Sequence, residues 1–163
     1  MVYSFSRPVN QSIESLLRFV NVTASGLLAG SLGFGEAALV PGWQRELARE
    51  SPSQVIDSRY FDAIGPLALA SAVALAVAAR RRGALRRTLD AASAVGLAGV
   101  VGTTMMVTVT INRELEAGPA QDYANDRAQS LSRNWHRAHT VRTTLGVTAF
   151  LCAVASNLAQ KTR

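Results

Sequence analysis

Both histidines of the chain fall within "RNWHRAHTVRTTLG" (133–146), three positions apart. A neutral imidazole moves protons readily near neutral pH, and residues three or four apart on a helix share one face. That rule groups Trp135, His139 and Arg142, with His136 within reach of the same face. His139 is expected to take a proton from a weakly acidic carbon while the Arg142 guanidinium holds the resulting oxyanion. Glu36 lies about 7–8 Å before the Pro41-Gly42 helix stop, at 1.5 Å per residue, and Asn112 follows Thr108 by one turn on another segment. His136, His139 and Glu36 also form the set a transition metal would take. Two histidines and a distant carboxylate match metal spacing less well than HExxH or paired cysteines, so no metal is favoured.

Each residue also has a plain structural use. Trp135 suits an anchor at the headgroup level, and Arg142 could neutralise Glu36 as a buried pair that orders helices. Asn112 could satisfy its own helix end. Met105 and Met106 read as core filler.

The elements that must position these groups are apolar blocks. The chain has 163 residues, 48% hydrophobic and 17% charged, and its apolar residues are gathered into long runs. A bilayer core needs about 20 such residues per helix. Four spans are expected, at about 19–40, 64–79, 91–111 and 139–159, in one domain covering 1–163. The second is short and rich in alanine. The fold class is all-α, a four-helix transmembrane bundle in contact with lipid.

The net charge of +6 is concentrated in "RRRGALRR" (80–87), between two apolar blocks. This reads as a topology signal, and nucleic acid is not expected as a partner. The linker falls on the cytoplasmic side. Arg7 and Arg18 before the first span, and Lys161 and Arg163 after the last, then place both termini in the cytoplasm, in a plasma-membrane protein. The loops 41–62 and 112–138 fall outside, so Glu36, Asn112, His139 and Arg142 share the outer membrane end. The single cysteine, Cys152, excludes an intrachain disulfide. The start of the chain lacks the pattern of a cleaved signal peptide.

Small residues at helical spacing are expected to mark close helix contacts: Gly26, Gly30, Gly33 and Ala37 on the first span, Gly96, Gly99 and Gly102 on the third, and Gly146, Ala149, Ala153 and Ser156 on the fourth. The first stripe could pack within the chain or against a second copy. "GSLGFG" follows no strand and has no phosphate-binding spacing.

Four spans, an Asn closing the third, then a Trp, a His four residues later and an Arg three further on, resemble the DUF1772 group of small membrane proteins, which includes anthrone oxygenases of polyketide pathways. The resemblance spans most of the chain in architecture, and its motif positions are Asn112, Trp135, His139 and Arg142. It implies oxidation of an enolisable polycyclic aromatic by O2, anthrone to anthraquinone, in secondary metabolism. His139 would be the base, with Arg142 or Asn112 on the enolate oxygen and Trp135 near the substrate; Glu36 and Thr108 match no motif position and are placed near the substrate only by lying at the same membrane end. O2 would be co-substrate and no cofactor would be required. A second reading is a non-catalytic accessory or assembly subunit; a metal-dependent oxidase using His136, His139 and Glu36 is a third. A carrier is disfavoured by the small number of ionisable groups in the spans.

Overall fold

In a computed structural model, residues 7–39, 59–79, 83–108, 110 and 126–159 are described. They form four helices: α1 (Arg7–Phe34), α2 (Arg59–Ala78), α3 (Ala84–Thr103) and α4 (Asp126–Leu158). Two of them end in wider π-helical segments, Gly35–Leu39 after α1 and Thr104–Thr108 after α3. The windows Gln11–Ala37, Tyr60–Ala78, Ala84–Val107 and Arg133–Leu158 are each long and apolar enough to cross a bilayer. The expected all-α, four-helix membrane fold is therefore found.

Each helix packs on its chain neighbour, and α1 closes the ring against α4. The helices run up and down in turn, so the start of α1, the α2–α3 link and the end of α4 share one end of the bundle. The core is built from Ala24, Leu28, Leu32, Ala68, Ala72, Leu97, Val100 and Ala149. Half of these are alanine, and the backbones approach closely. A Cβ added to Gly96 would stand 3.0 Å from the Ala149 Cβ and 3.2 Å from the Leu145 carbonyl. Gly26 meets Phe150, Gly99 meets Leu145, and Gly146 meets Leu32 in the same way.

The small-residue pattern holds only in part. Ala149, Ala153 and Ser156 are buried on α4. Gly30, Gly33 and Gly102 have nothing within 4 Å of an added Cβ, so spacing alone did not tell which side of a helix meets a neighbour. Met105 and Met106, expected as core filler, are 62% and 80% exposed. In lipid the surrounding solvent is itself apolar, so an apolar side chain gains little from turning inward.

The helices also extend beyond the apolar runs. α1 begins at Arg7 rather than near residue 19, α3 at Ala84 rather than near 91, and α4 at Asp126 rather than near 139. Four charged residues in those extensions, Glu14, Arg18, Arg86 and Asp90, pair with one another within the bundle. Arg18 is buried, not a free topology charge: it donates through Nη1 and Nη2 to the two oxygens of Asp90 at 3.4 and 3.2 Å, and through Nη1 to Ser156 Oγ at 3.2 Å. Its Nε donates to Glu14 at 3.0 Å, and Arg86 donates to the same Glu14 oxygen at 3.1 Å. Ser156 donates to Asp90. This clamp joins α1, α3 and α4 at the end where the link at 80–82 lies. Paired, two-pronged contact is what allows an Arg and an Asp to be buried together.

Candidate active site

At the opposite end of the bundle, α4 carries Trp135, His136, His139, Thr140, Arg142 and Thr143 on two successive turns. The π segments of α1 and α3 both pack against it. Such segments add a residue to one turn, shift the side chains beyond it, and recur at functional sites. Here the shift brings Gly35 and Glu36 to α4. A Cβ on Gly35 would lie 3.0 Å from His139 Nε2 and 3.1 Å from its Cε1, so the imidazole occupies space that only glycine leaves open.

The His139 ring is held on three sides. Trp135 stacks on its face, with centroids 5.0 Å apart and planes 5° from parallel. Arg142 Nη2 lies 2.8 Å from Nδ1. The Glu36 carboxylate faces Nε2, Oε2 to Nε2 being 3.6 Å. Arg142 is buried as well, and its Nη1 donates to Thr104 Oγ1 at 3.4 Å, while Thr104 donates to the Val100 carbonyl at 2.8 Å. Thr143 donates to the Leu32 carbonyl at 3.4 Å, tying α4 to α1 just below.

Glu36 Oε1 lies 3.0 Å from the Thr140 hydroxyl and 3.9 Å from His136 Nδ1. The Thr140 proton is shared between that oxygen and the His136 carbonyl at 3.1 Å. Among the described residues, four buried atoms here have no hydrogen-bond partner: Glu36 Oε2, His136 Nδ1, His139 Nε2 and Arg142 Nε. Leaving such groups unpaired costs about 1–3 kcal/mol each, so their collection at one place points to a ligand that completes them. The His139 side chain is 7% exposed, but that of Glu36 is 29% and that of His136 40%, so the cluster opens outward on the carboxylate side.

The residues singled out by type and spacing thus gather in large part. Trp135, His136, His139, Arg142 and Glu36 stand together. The hydrogen bonds of Arg142 run to His139 and Thr104, and Glu36 is held by Thr140, rather than the two forming the neutralising pair that was the structural alternative for Arg142. Thr108 closes the α3 π segment, and its side chain is not among those described; Asn112 lies outside the described residues. His136, His139 and Glu36 face one another, yet among the described residues no group of three or more His, Cys, Asp or Glu is set to hold a metal ion. Thr104, Thr140 and Gly35 were missed by sequence reasoning. Thr104 had a signal, since it precedes Thr108 and Asn112 at spacings of four on one helical stripe.

Four membrane-length helices packed into one bundle, with a polar cluster at one end, define an integral membrane protein. The chain belongs to the anthrone oxygenase family, whose sequence profile matches residues 53–152. The matched segment contains Thr104, Asn112, Trp135, His139 and Arg142, while Glu36 lies before it. Neither a curated protein nor a solved structure matches the chain.

Proposed function

We propose that the protein oxidises an enolisable polycyclic aromatic ketone of the anthrone type with O2. The observation that carries this reading is the cluster around His139 of polar atoms with no partner among the described residues, in which Glu36 Oε2 faces His139 Nε2 across 3.6 Å and His136 Nδ1 lies 3.9 Å from the other carboxylate oxygen. A ketone whose CH2 is acidified by flanking rings offers what those atoms lack: an acidic C–H for a base and a carbonyl oxygen for N–H donors. Removing the proton gives an electron-rich enolate. That carbanion adds O2, and the hydroperoxide then loses water. In sum the CH2 carbon becomes C=O, one oxygen atom stays in the product and the other leaves as water. The substrate supplies all the electrons, so the sequence of steps requires no reductant and no cofactor.

The reacting set is His139, Arg142 and Glu36, with Trp135 beside the imidazole. Asn112, a motif position of the resemblance, and Thr108, four residues before it in sequence, are proposed as substrate-positioning groups. A site at the bilayer edge suits a greasy aromatic and dissolved O2, both of which concentrate in lipid. The direct test supplies anthrone to membranes carrying the protein and to control membranes, under air and under nitrogen. Anthraquinone should form faster than in control membranes only with protein and air together; equal rates in both membranes would contradict the proposal.

We also propose that the 80–87 arginine run and both termini lie in the cytoplasm, in the plasma membrane, with the site at the outer end. The bundle puts the start of α1, the α2–α3 link and the end of α4 together, so one label reports on all three. A cysteine introduced at Gly83, in a Cys152→Ala background, is expected to resist a membrane-impermeant thiol reagent in intact cells. Labelling in intact cells would invert the orientation.

A further inference from the structure

Resting on that reaction, we infer a division of labour: Glu36 takes the substrate proton, His139 presents its Nε2–H to the substrate oxygen, and Arg142 positions the imidazole by fixing its tautomer. A guanidinium has donors and no acceptor. With Arg142 Nη2 at 2.8 Å from His139 Nδ1, that nitrogen must offer its lone pair. A neutral imidazole with a lone pair on Nδ1 carries its proton on Nε2. The remaining side of the ring agrees with this, since the Glu36 carboxylate facing Nε2 is an acceptor.

The sequence-based assignment, with His139 as base and Arg142 on the oxyanion, would need the lone pair that Arg142 already holds. Among the described residues the Nε2–H has no acceptor, and Glu36 Oε2, 3.6 Å away, has no donor. At 3.6 Å the two are too far apart to satisfy each other well. A ketone can use both at once. Its carbonyl oxygen accepts from Nε2–H while the acidic C–H meets Oε2. The C–H bond breaks toward Glu36, its electron pair moves through the ring system onto the carbonyl oxygen, and the Nε2–H strengthens its bond to the developing charge. Trp135 stacked on the ring and Gly35 against its edge leave the imidazole little freedom to turn. Thr140 holds the other carboxylate oxygen, so Oε2 remains the reactive one.

Two measurements test this, one of them independent of any substrate. The chain has two histidines, so 15N spectra of His-labelled protein in detergent, compared with those of His139→Gln, isolate His139. The Nε2–H tautomer is expected in the parent and in Arg142→Lys, and a mixture in Arg142→Met. The Nδ1–H tautomer in the parent would overturn the assignment. The second measurement follows loss of CH2 protium from anthrone in anaerobic D2O, which reads proton removal apart from reaction with O2. Glu36→Gln, nearly isosteric with the parent, should slow exchange by about 10²–10⁴-fold, with Glu36→Asp intermediate. His139→Gln should slow it by about 10²–10³-fold. Parent-like exchange in Glu36→Gln together with none in His139→Gln would return the base to His139. If the parent itself neither exchanges nor oxidises anthrone, the proposed reaction fails and these roles with it, whatever tautomer the spectra show.

Discussion

A His139→Ala variant is expected to insert into the membrane with the helicity of the parent but to form anthraquinone about 10³-fold more slowly, a loss of about 4 kcal/mol of transition-state stabilisation. The imidazole accepts from Arg142, stacks on Trp135 and faces Glu36 across 3.6 Å, so its removal dismantles the reacting set at its centre. His139 is not one of the residues of the apolar core formed by Leu28, Leu32, Leu97 and Ala149. The cost to stability is that of leaving the Arg142 Nη2 donor unpaired, about 1–3 kcal/mol. Circular dichroism and thermal unfolding in detergent, set beside product formation, separate the two effects. An accessory subunit would give the opposite pattern, a loss of folding or partner binding with no reaction to lose.

The second large effect lies at the other end of the bundle. Asp90→Ala removes the main partner of a buried guanidinium, and breaking such a pair costs about 3–5 kcal/mol because a charge is left uncompensated. Arg18 keeps Glu14 and Ser156, so a loss of about 3 kcal/mol is expected. It should appear as a lower unfolding midpoint and a lower yield from membranes. Asp90→Asn, which retains an oxygen acceptor for Arg18 and Ser156, should lose less. Arg18 and Glu36 are separated by 18 residues of α1 and its π segment, about 27 Å at 1.5 Å per residue. Molecules of the variant that remain folded should therefore turn over at the parental rate. A folded Asp90→Ala protein with no activity would show that the two ends are coupled.

The contrast between these two polar clusters explains what could be read in the sequence. Glu36, His139 and Arg142 stood out because each interrupts or borders an apolar run, and the up-and-down order of four helices then brings them to one end. Arg18, Asp90 and Ser156 were invisible as a group. Hydropathy treats charges beside an apolar run as its edge, whereas each of these is buried and the helices continue past them. The π segments at Gly35–Leu39 and Thr104–Thr108 leave no compositional trace, since one extra residue in a turn changes which side chains face a neighbour without changing their types. For that reason the partnership of Gly35 and Thr104 with the site emerged only in three dimensions. Exposed Met105, Met106 and Gly30 make the same point about faces: in a bilayer, apolar character marks a span but does not say which side looks inward.

The tautomer of His139 reshapes the chemistry more than any change in the membership of the site. Spacing alone allowed either nitrogen to be free, and a free Nε2 lone pair would have made His139 the obvious base. One hydrogen bond of 2.8 Å from a group that can only donate turns that nitrogen into a donor and passes the task of proton removal to the carboxylate opposite. Glu36 lies before the segment matched by the family profile, so its part in the reaction rests on the geometry of this chain.

The most direct measurement is the fate of labelled oxygen. Purified protein in detergent, given anthrone under 18O2 in unlabelled water, is expected to yield anthraquinone carrying one 18O atom at the former CH2 carbon, with the second labelled atom released as water. Product formed at the rate of protein-free controls, or product whose new oxygen comes from unlabelled water, would contradict the assignment of this bundle as an oxygenase.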